Sequence, residues 1–215
     1  MSIAFLGLSA CAEQPQDFVS AQTQTKLANA ESSPIIDGAN AAPPPGFVSF
    51  CVQTPEACSN QIIPDKASVT IDDETAAILV AVNDRVNKAI LYEADIEHYG
   101  VSNRWTLNPQ DGYGDCKDYA LSKREALKQA GLPDAALRIA IVRTLGNELH
   151  AVLTVDSNKG VLVMDSLTSE IRPWSDTNYL WLIRQASDNP LHWVTVAGSA
   201  NDTTGSILAG GDVAY

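Results

Sequence analysis

Basic residues are scarce in this chain. Fourteen Lys and Arg face 26 Asp and Glu over 215 residues, giving a net charge of −12 and a pI near 4.5. That balance excludes a nucleic-acid binder, because phosphate recognition needs clustered Lys and Arg. It suits a protein that meets cations. Long apolar runs are lacking too. The apolar start, "MSIAFLGLSAC", is too short to span a bilayer and has no positively charged flank of the usual secretory kind. Cysteine and histidine are rare, at four and three residues, so each one calls for an account. What is present in ordinary amount is apolar surface: 45% of residues are hydrophobic, enough for one good core.

The apolar run ends in Leu8-Ser9-Ala10-Cys11. Small residues before a cysteine resemble a bacterial lipoprotein signal, with Cys11 as the lipidated residue. An ordinary secretory signal or an unstructured tail is the alternative. The expected organisation is an export leader over residues 1–11 and a flexible linker over residues 12–46, which is rich in Gln, Ser, Ala, Asn and Pro and ends in "AAPPPG". A folded unit over residues 47–197 and a loose Gly-, Thr- and Asp-rich tail over residues 198–215 complete the chain.

Cys51 and Cys58 stand in "FCVQTPEAC" with six residues between them and a proline to help turn the chain. In an exported protein this reads as a local disulfide. A metal pair is the alternative, with no other Cys or His nearby in sequence. A loop this small contributes about 2–3 kcal/mol in the chain-entropy model. Cys116 is then left over, and a lone thiol in an oxidising compartment is a hazard unless buried or used.

Around Cys116 the pattern predicts helices and then strands. Residues 72–97 repeat apolar positions at helical spacing, with Asp72 and Asp73 to cap the start and Gly100 as the stop. The loop "NRWTLNPQDGYGD" follows, and a second helix begins near Cys116, carries Ala120, Leu127 and Ala130, and ends at Gly131. "LRIAIVRT", "ELHAVLTV" and "VLVMDS" read as strands, the last two joined as a hairpin by "DSNKG". "HWVTV" reads as a late strand. Helices followed by an antiparallel sheet make an α+β fold.

In the hairpin His150, Val152 and Thr154 share one face, and so do Val161, Val163 and Asp165. His150 and Asp165 then fall nearly opposite, within reach of an imidazole–carboxylate bond. A helix start favours an anion, an imidazole can take a thiol proton, and a carboxylate beyond it holds the ring's orientation. Cys116, His150 and Asp165 therefore make a candidate catalytic set, with backbone N–H groups of the same helix start as oxyanion donors. Taken singly, each has a plainer reading: a buried structural thiol, a strand histidine, a turn aspartate. His98 reads as a partner of its helix C-terminus, His192 as a strand or surface residue, and the four tryptophans as core or groove walls, with Trp105 near Cys116.

"NDRVNKAILYEADIEHYGVSNRWTLNPQDGYGDCKDYALSKREALKQAGLP", followed by "HAVLTV" and "VLVMDS", resembles the bacterial transglutaminase-like cysteine proteinases. The similarity runs from about Phe47 to Val196, and Gly114 to Ala120 is its most specific part. The cysteine pair of "FCVQTPEAC" also matches one seen in many members. The resemblance implies a papain-like fold, with Cys116 as nucleophile, His150 as base and Asp165 as orienter. It implies a periplasmic endopeptidase acting on an exported or surface protein, such as a large adhesin whose cleavage releases a biofilm. A membrane tether through lipidated Cys11 and an inner-membrane regulatory partner belong to the same expectation. The alternatives on this fold are an acyl transferase of transglutaminase type and a binding module without catalysis.

Adhesin-cleaving members are calcium-dependent, with acidic ligands beside the cysteine. Asp115 and Asp118 match them, but Lys117 stands where those members usually carry Glu. An ammonium removes one ligand and adds a repelling charge, so the expectation is weakened calcium binding, with Asp111 as a substitute carboxylate. A simpler role for Asp115 and Asp118 is to favour the helix N-terminus.

Overall fold

A computed structural model describes residues 27, 32–59 and 68–197. The leader, Cys11 with its expected lipidation, and the tail over residues 198–215 lie outside the described residues. The first described strand, β1 (Asp37–Ala41), precedes helix α1 (Pro45–Gln53) and a short 3-10 turn at Pro55–Cys58. Helix α2 spans Asp73–Ala89, strand β2 Leu91–Tyr92, the single turn α3 Asp95–His98, strand β3 Tyr113–Gly114 and helix α4 Cys116–Gln129. Strands β4 (Leu137–Arg143), β5 (Leu149–Ser157), β6 (Gly160–Met164), β7 (Arg172–Pro173), β8 (Leu180–Gln185) and β9 (Trp193–Val196) complete the order.

Among the described residues, seven strands form one antiparallel sheet in the order β1-β9-β8-β4-β5-β6-β7. Both faces of it are covered, and this explains why "LRIAIVR" reads as a nearly continuous apolar run rather than an alternating one. Leu137, Ile139 and Ile141 point to the helices, where they meet Leu79, Val82, Val86, Tyr119 and Leu127. Ala140 and Val142 point the other way, into a second cluster with Val152, Val163, Trp181 and Ile35. Burying a side chain of this size is worth about 1.5–3 kcal/mol. The two layers therefore lock the register of β4 and β5 firmly, and the candidate site depends on that register.

Two expectations need correcting. Residues 37–41, assigned to the flexible linker, form an edge strand on β9. Asp37 anchors it through ion pairs to the buried Arg138 and Arg184, at 2.8 and 2.7 Å. The strand is mostly exposed, so no apolar alternation marks it in the sequence. The helix expected over residues 72–97 stops at Ala89. Its start is as expected, with the Asp72 side chain accepting from Thr75 N at 2.8 Å. After Ile90 the backbone turns extended, and Leu91 N and Glu93 N donate to Gly112 O and Gly114 O, at 2.8 and 3.0 Å. Leu91 and Tyr92 keep the apolar rhythm going but are exposed. This departure matters, because the parallel pair β2–β3 delivers the chain to the start of α4. The expected stop at Gly131 holds (φ +91°), although Ala130 is exposed rather than core. Among the described residues, no helix is long and apolar enough to cross a membrane.

Candidate active site

Cys116 is the first residue of α4, and Asp115 is its N-cap. Asp115 and Asp118 close a capping box, in which Asp118 Oδ2 accepts from Asp115 N at 3.0 Å. Gly114 is required just before it: a Cβ there would lie 2.8 Å from Asp118 Oδ2. The "GDCKD" sequence is thus a compact device for starting a helix on a cysteine.

The sheet meets that cysteine where β6 has ended. The β5–β6 pairing runs only as far as Leu153 and Met164. Beyond it, Ala151 N donates to Cys116 Sγ at 3.4 Å. His150 and Asp165 also meet there, Nε2 to Oδ1 at 2.7 Å, both buried. The register extends so that Asp165 faces Val152, two residues from His150. The pair therefore bonds across a diagonal rather than directly opposite. Cys116 interacts with the His150 imidazole as well. The structure thus brings together all three residues that the sequence singled out.

The electrostatics follow from the packing. Burial pulls the His150 imidazole down, but hydrogen bonds to Asp165 and Cys116 and attraction from both outweigh it and push the group up to about 9. Burial pushes Asp165 up, but its bonds to His150, Leu167 N and the Tyr179 hydroxyl hold it below the usual carboxylate value. Tyr179 OH donates to Asp165 Oδ2 at 2.5 Å, and its ring lies 5.8 Å from that of His150. The Asp165 carbonyl accepts from Lys123 Nζ at 2.8 Å and Asn87 Nδ2 at 2.9 Å. Lys123 is fully buried, and burial lowers its ammonium to about 7 against the pull of Asp165 and Asp84. Sequence reasoning missed Tyr179, Lys123 and Asn87. A lysine that follows Cys116 at helical spacing on the buried face of α4 was the one available signal.

Trp105 is buried and lines a small cleft of about 30 Å³ with Cys116, Ile141, Leu149, His150 and Ala151. A larger cleft of about 310 Å³ lies on the far side of the pair, lined by Thr144, Leu145, Thr168, Arg172 and Tyr179 among others. It reaches Asp165 but not the sulfur, so the smaller cleft is the one relevant to a thiol reaction.

Asp95, Asp115 and Asp118 offer carboxylate oxygens within 4.8 Å of one another, a spacing that could hold a metal ion. Asp95 was not expected. Asp111, the expected substitute, instead pairs with His98 Nε2 at 3.0 Å. Lys117 lies inside this cluster rather than pointing away from it. Its Nζ is 2.7 Å from Asp95 Oδ2 and 2.5 Å from Asp115 Oδ2, and the residue is 3% exposed. Burial pulls Lys117 down, yet attraction from Asp115 and Asp118 leaves it raised. Asp115 is itself raised, because burial and Asp95 outweigh Lys117 there. Burial, with Asp115 adding to it and Lys117 opposing it, pushes Asp118 up to about 7. Thr106 N and Arg104 N donate to Asp118 Oδ1 and Asp95 Oδ2, at 2.7 and 2.5 Å. Among the described residues, five of the six oxygens have a partner and Asp95 Oδ1 has none. Calcium asks for 6–8 oxygen ligands, so these residues, already turned to N–H groups and an ammonium, do not fit it.

Cys51 and Cys58 form a disulfide, with S–S 2.05 Å and Cα atoms 5.5 Å apart. Among the described residues Cys116 is the free cysteine, and it is half-buried. Alkylation of the folded, non-reduced protein lacking residues 1–11 is therefore expected to label one thiol per chain, at Cys116. Mass spectrometry of the tryptic digest reads this, and a protected Cys116 would contradict it.

A helix-borne cysteine facing an antiparallel sheet that carries a buried His–Asp pair defines an α+β protein of the transglutaminase-like class. The chain belongs to the bacterial transglutaminase-like cysteine proteinases: that family's model matches residues 37–201. Among solved structures, Legionella pneumophila LapG in its EGTA-treated form is 30% identical over 51% of this chain and 62% of its own, with a TM-score of 0.45. This chain thus spans less than two thirds of that relative. The calcium-bound form of LapG is 28% identical over 59% of this chain and 73% of its own, with a TM-score of 0.49. A further LapG structure gives 28%, 59%, 71% and 0.47. No curated protein matches.

Proposed function

We propose that the protein is an exported cysteine endopeptidase that hydrolyses a peptide bond in another exported or surface protein through a Cys116 thioester. The observation that carries this is the contiguous arrangement of Cys116, His150 and Asp165, with His150 pushed up to about 9. At neutral pH the imidazole then carries a proton, the one a thiol nucleophile sheds. It gives that proton to the leaving amine as the tetrahedral adduct collapses, and it takes one from the water that cleaves the thioester. Asp165 keeps Nε2 engaged, so that the other ring nitrogen is left for sulfur. Tyr179 and Leu167 N hold the Asp165 carboxylate in turn.

Export is supported by the Cys51–Cys58 disulfide, a bond that persists in oxidising compartments. A periplasmic setting, a lipid tether at Cys11 and an inner-membrane regulatory partner belong to the same proposal and rest on the resemblance. The narrow cleft between Trp105 and Leu149 favours an extended substrate with small side chains near the cut bond, as in a surface adhesin. Calcium binding of the kind named for LapG would fall to Asp95, Asp115 and Asp118. For this chain it is weak, since Lys117 and backbone N–H groups already hold those oxygens.

The deciding experiment incubates candidate surface proteins with the wild-type protein, with and without a primary amine. Appearance of a new N-terminus supports the protease. Amine incorporation without cleavage favours the acyl transferase instead, because both reactions share the thioester and differ in what resolves it.

A further inference from the structure

We propose that the Lys117 ammonium is a resident cation, which takes the place of a metal ion between Asp95, Asp115 and Asp118 and holds the Trp105 loop over Cys116 without calcium. The inference goes beyond the protease reading and stands on the geometry around Lys117, whatever Cys116 does.

The cluster joins α3, the start of α4 and the loop between them. Asp95 opens α3, Asp115 caps α4, and Asp118 lies in the first turn of α4. Asp95 Oδ2 and Asp118 Oδ1 also take the backbone N–H groups of Arg104 and Thr106, on either side of Trp105. The buried carboxylates thus hold the loop that walls the Cys116 cleft. Three clustered carboxylates, Asp95 and Asp118 buried and Asp115 half-buried, repel one another and need a positive centre. Lys117 supplies it from within, with 4% exposure of its own side chain and of Asp95's. An ammonium has three donors and no open coordination shell, so it joins two or three oxygens and admits no further ligand. A metal at this point would have to displace Nζ from Asp95 and Asp115, the two carboxylates it bonds.

Thermal unfolding and calorimetric titration with calcium chloride test this without any substrate. The wild-type protein is expected to show no calcium heat below millimolar concentration, and the same Tm in calcium and in EGTA. Lys117→Glu, which adds a carboxylate and removes the ammonium, is expected to unfold several degrees lower in EGTA and to recover those degrees in calcium. Lys117→Met, a shape-conserving removal of the charge, is expected to lose stability in EGTA and guards against a misfolded glutamate variant. Micromolar calcium binding by the wild type would overturn the proposal. So would a Lys117→Met protein whose Tm in EGTA equals the wild type's, since the ammonium would then hold nothing together.

Discussion

Cys116→Ala is expected to lower kcat/KM for cleavage of an exported protein substrate by about ten-thousand-fold or more. The thioester cannot form without sulfur, and what remains is the catalysis of orientation and backbone donors alone. The substitution removes a half-buried side chain that accepts a long bond from Ala151 N at 3.4 Å and interacts with His150. Some of the stability that His150 draws from its partners goes with it, so matched circular dichroism and Tm are needed to exclude a folding defect. Substrate gels over a time course, read beside iodoacetamide labelling of the wild type, make the comparison. Cleavage that persists in Cys116→Ala would refute the thioester mechanism. It would leave the His150–Asp165 pair as an element of structure.

How legible each contact is in the sequence depends on the distance along the chain over which it is set. His150 and Asp165 are carried by two strands joined through the short, turn-rich "DSNKG" segment, so their meeting follows from local sequence. The two-residue offset does not, because it depends on where the turn closes: Ser157 pairs with Gly160. Cys116 at a helix start is equally local, since Asp115 and Asp118 make the capping box within four residues. Asp95 is another matter. It lies 22 positions before Lys117, across a loop whose path depends on the β2–β3 pairing and on positive φ at Asn103, Asn108 and Gly112. Nothing periodic predicts that path. In the sequence Lys117 is therefore only a repelling charge, whereas burial makes it the group that binds the acidic cluster together. Strand β1 was missed for a different reason. Its hold on the sheet comes from backbone pairing and from Asp37 with two arginines more than 100 residues away, not from apolar side chains.

Asp165→Ala is the second large effect, and pH separates its causes. Removing this carboxylate is expected to lower kcat by about ten-thousand-fold, with the ring left unoriented and its buried charge unpaired. The His150 imidazole, pushed up to about 9 in the folded protein and near 6.5 when unfolded, contributes stability through its partners. A raised folded value means that this contribution is complete below about pH 6.5 and is lost as pH rises through about 9. The wild type should thus become less stable across that interval, and Asp165→Ala should lose most of that slope, because the hydrogen bond and charge that raise His150 are gone. Asp165→Asn divides the two contributions. An amide oxygen can still accept from Nε2, so orientation is largely kept, while the negative charge is removed. Its alkaline limb of activity is therefore expected to move down from about 9 toward the ordinary imidazole value, with a far smaller loss of kcat at the new optimum. Tyr179→Phe, which removes only the hydroxyl on Asp165 Oδ2, should cost about tenfold in kcat with KM unchanged. A pH–rate profile that is unmoved in Asp165→Asn would mean that the carboxylate does not set the imidazole's charge, and that His150 is held protonated by sulfur alone.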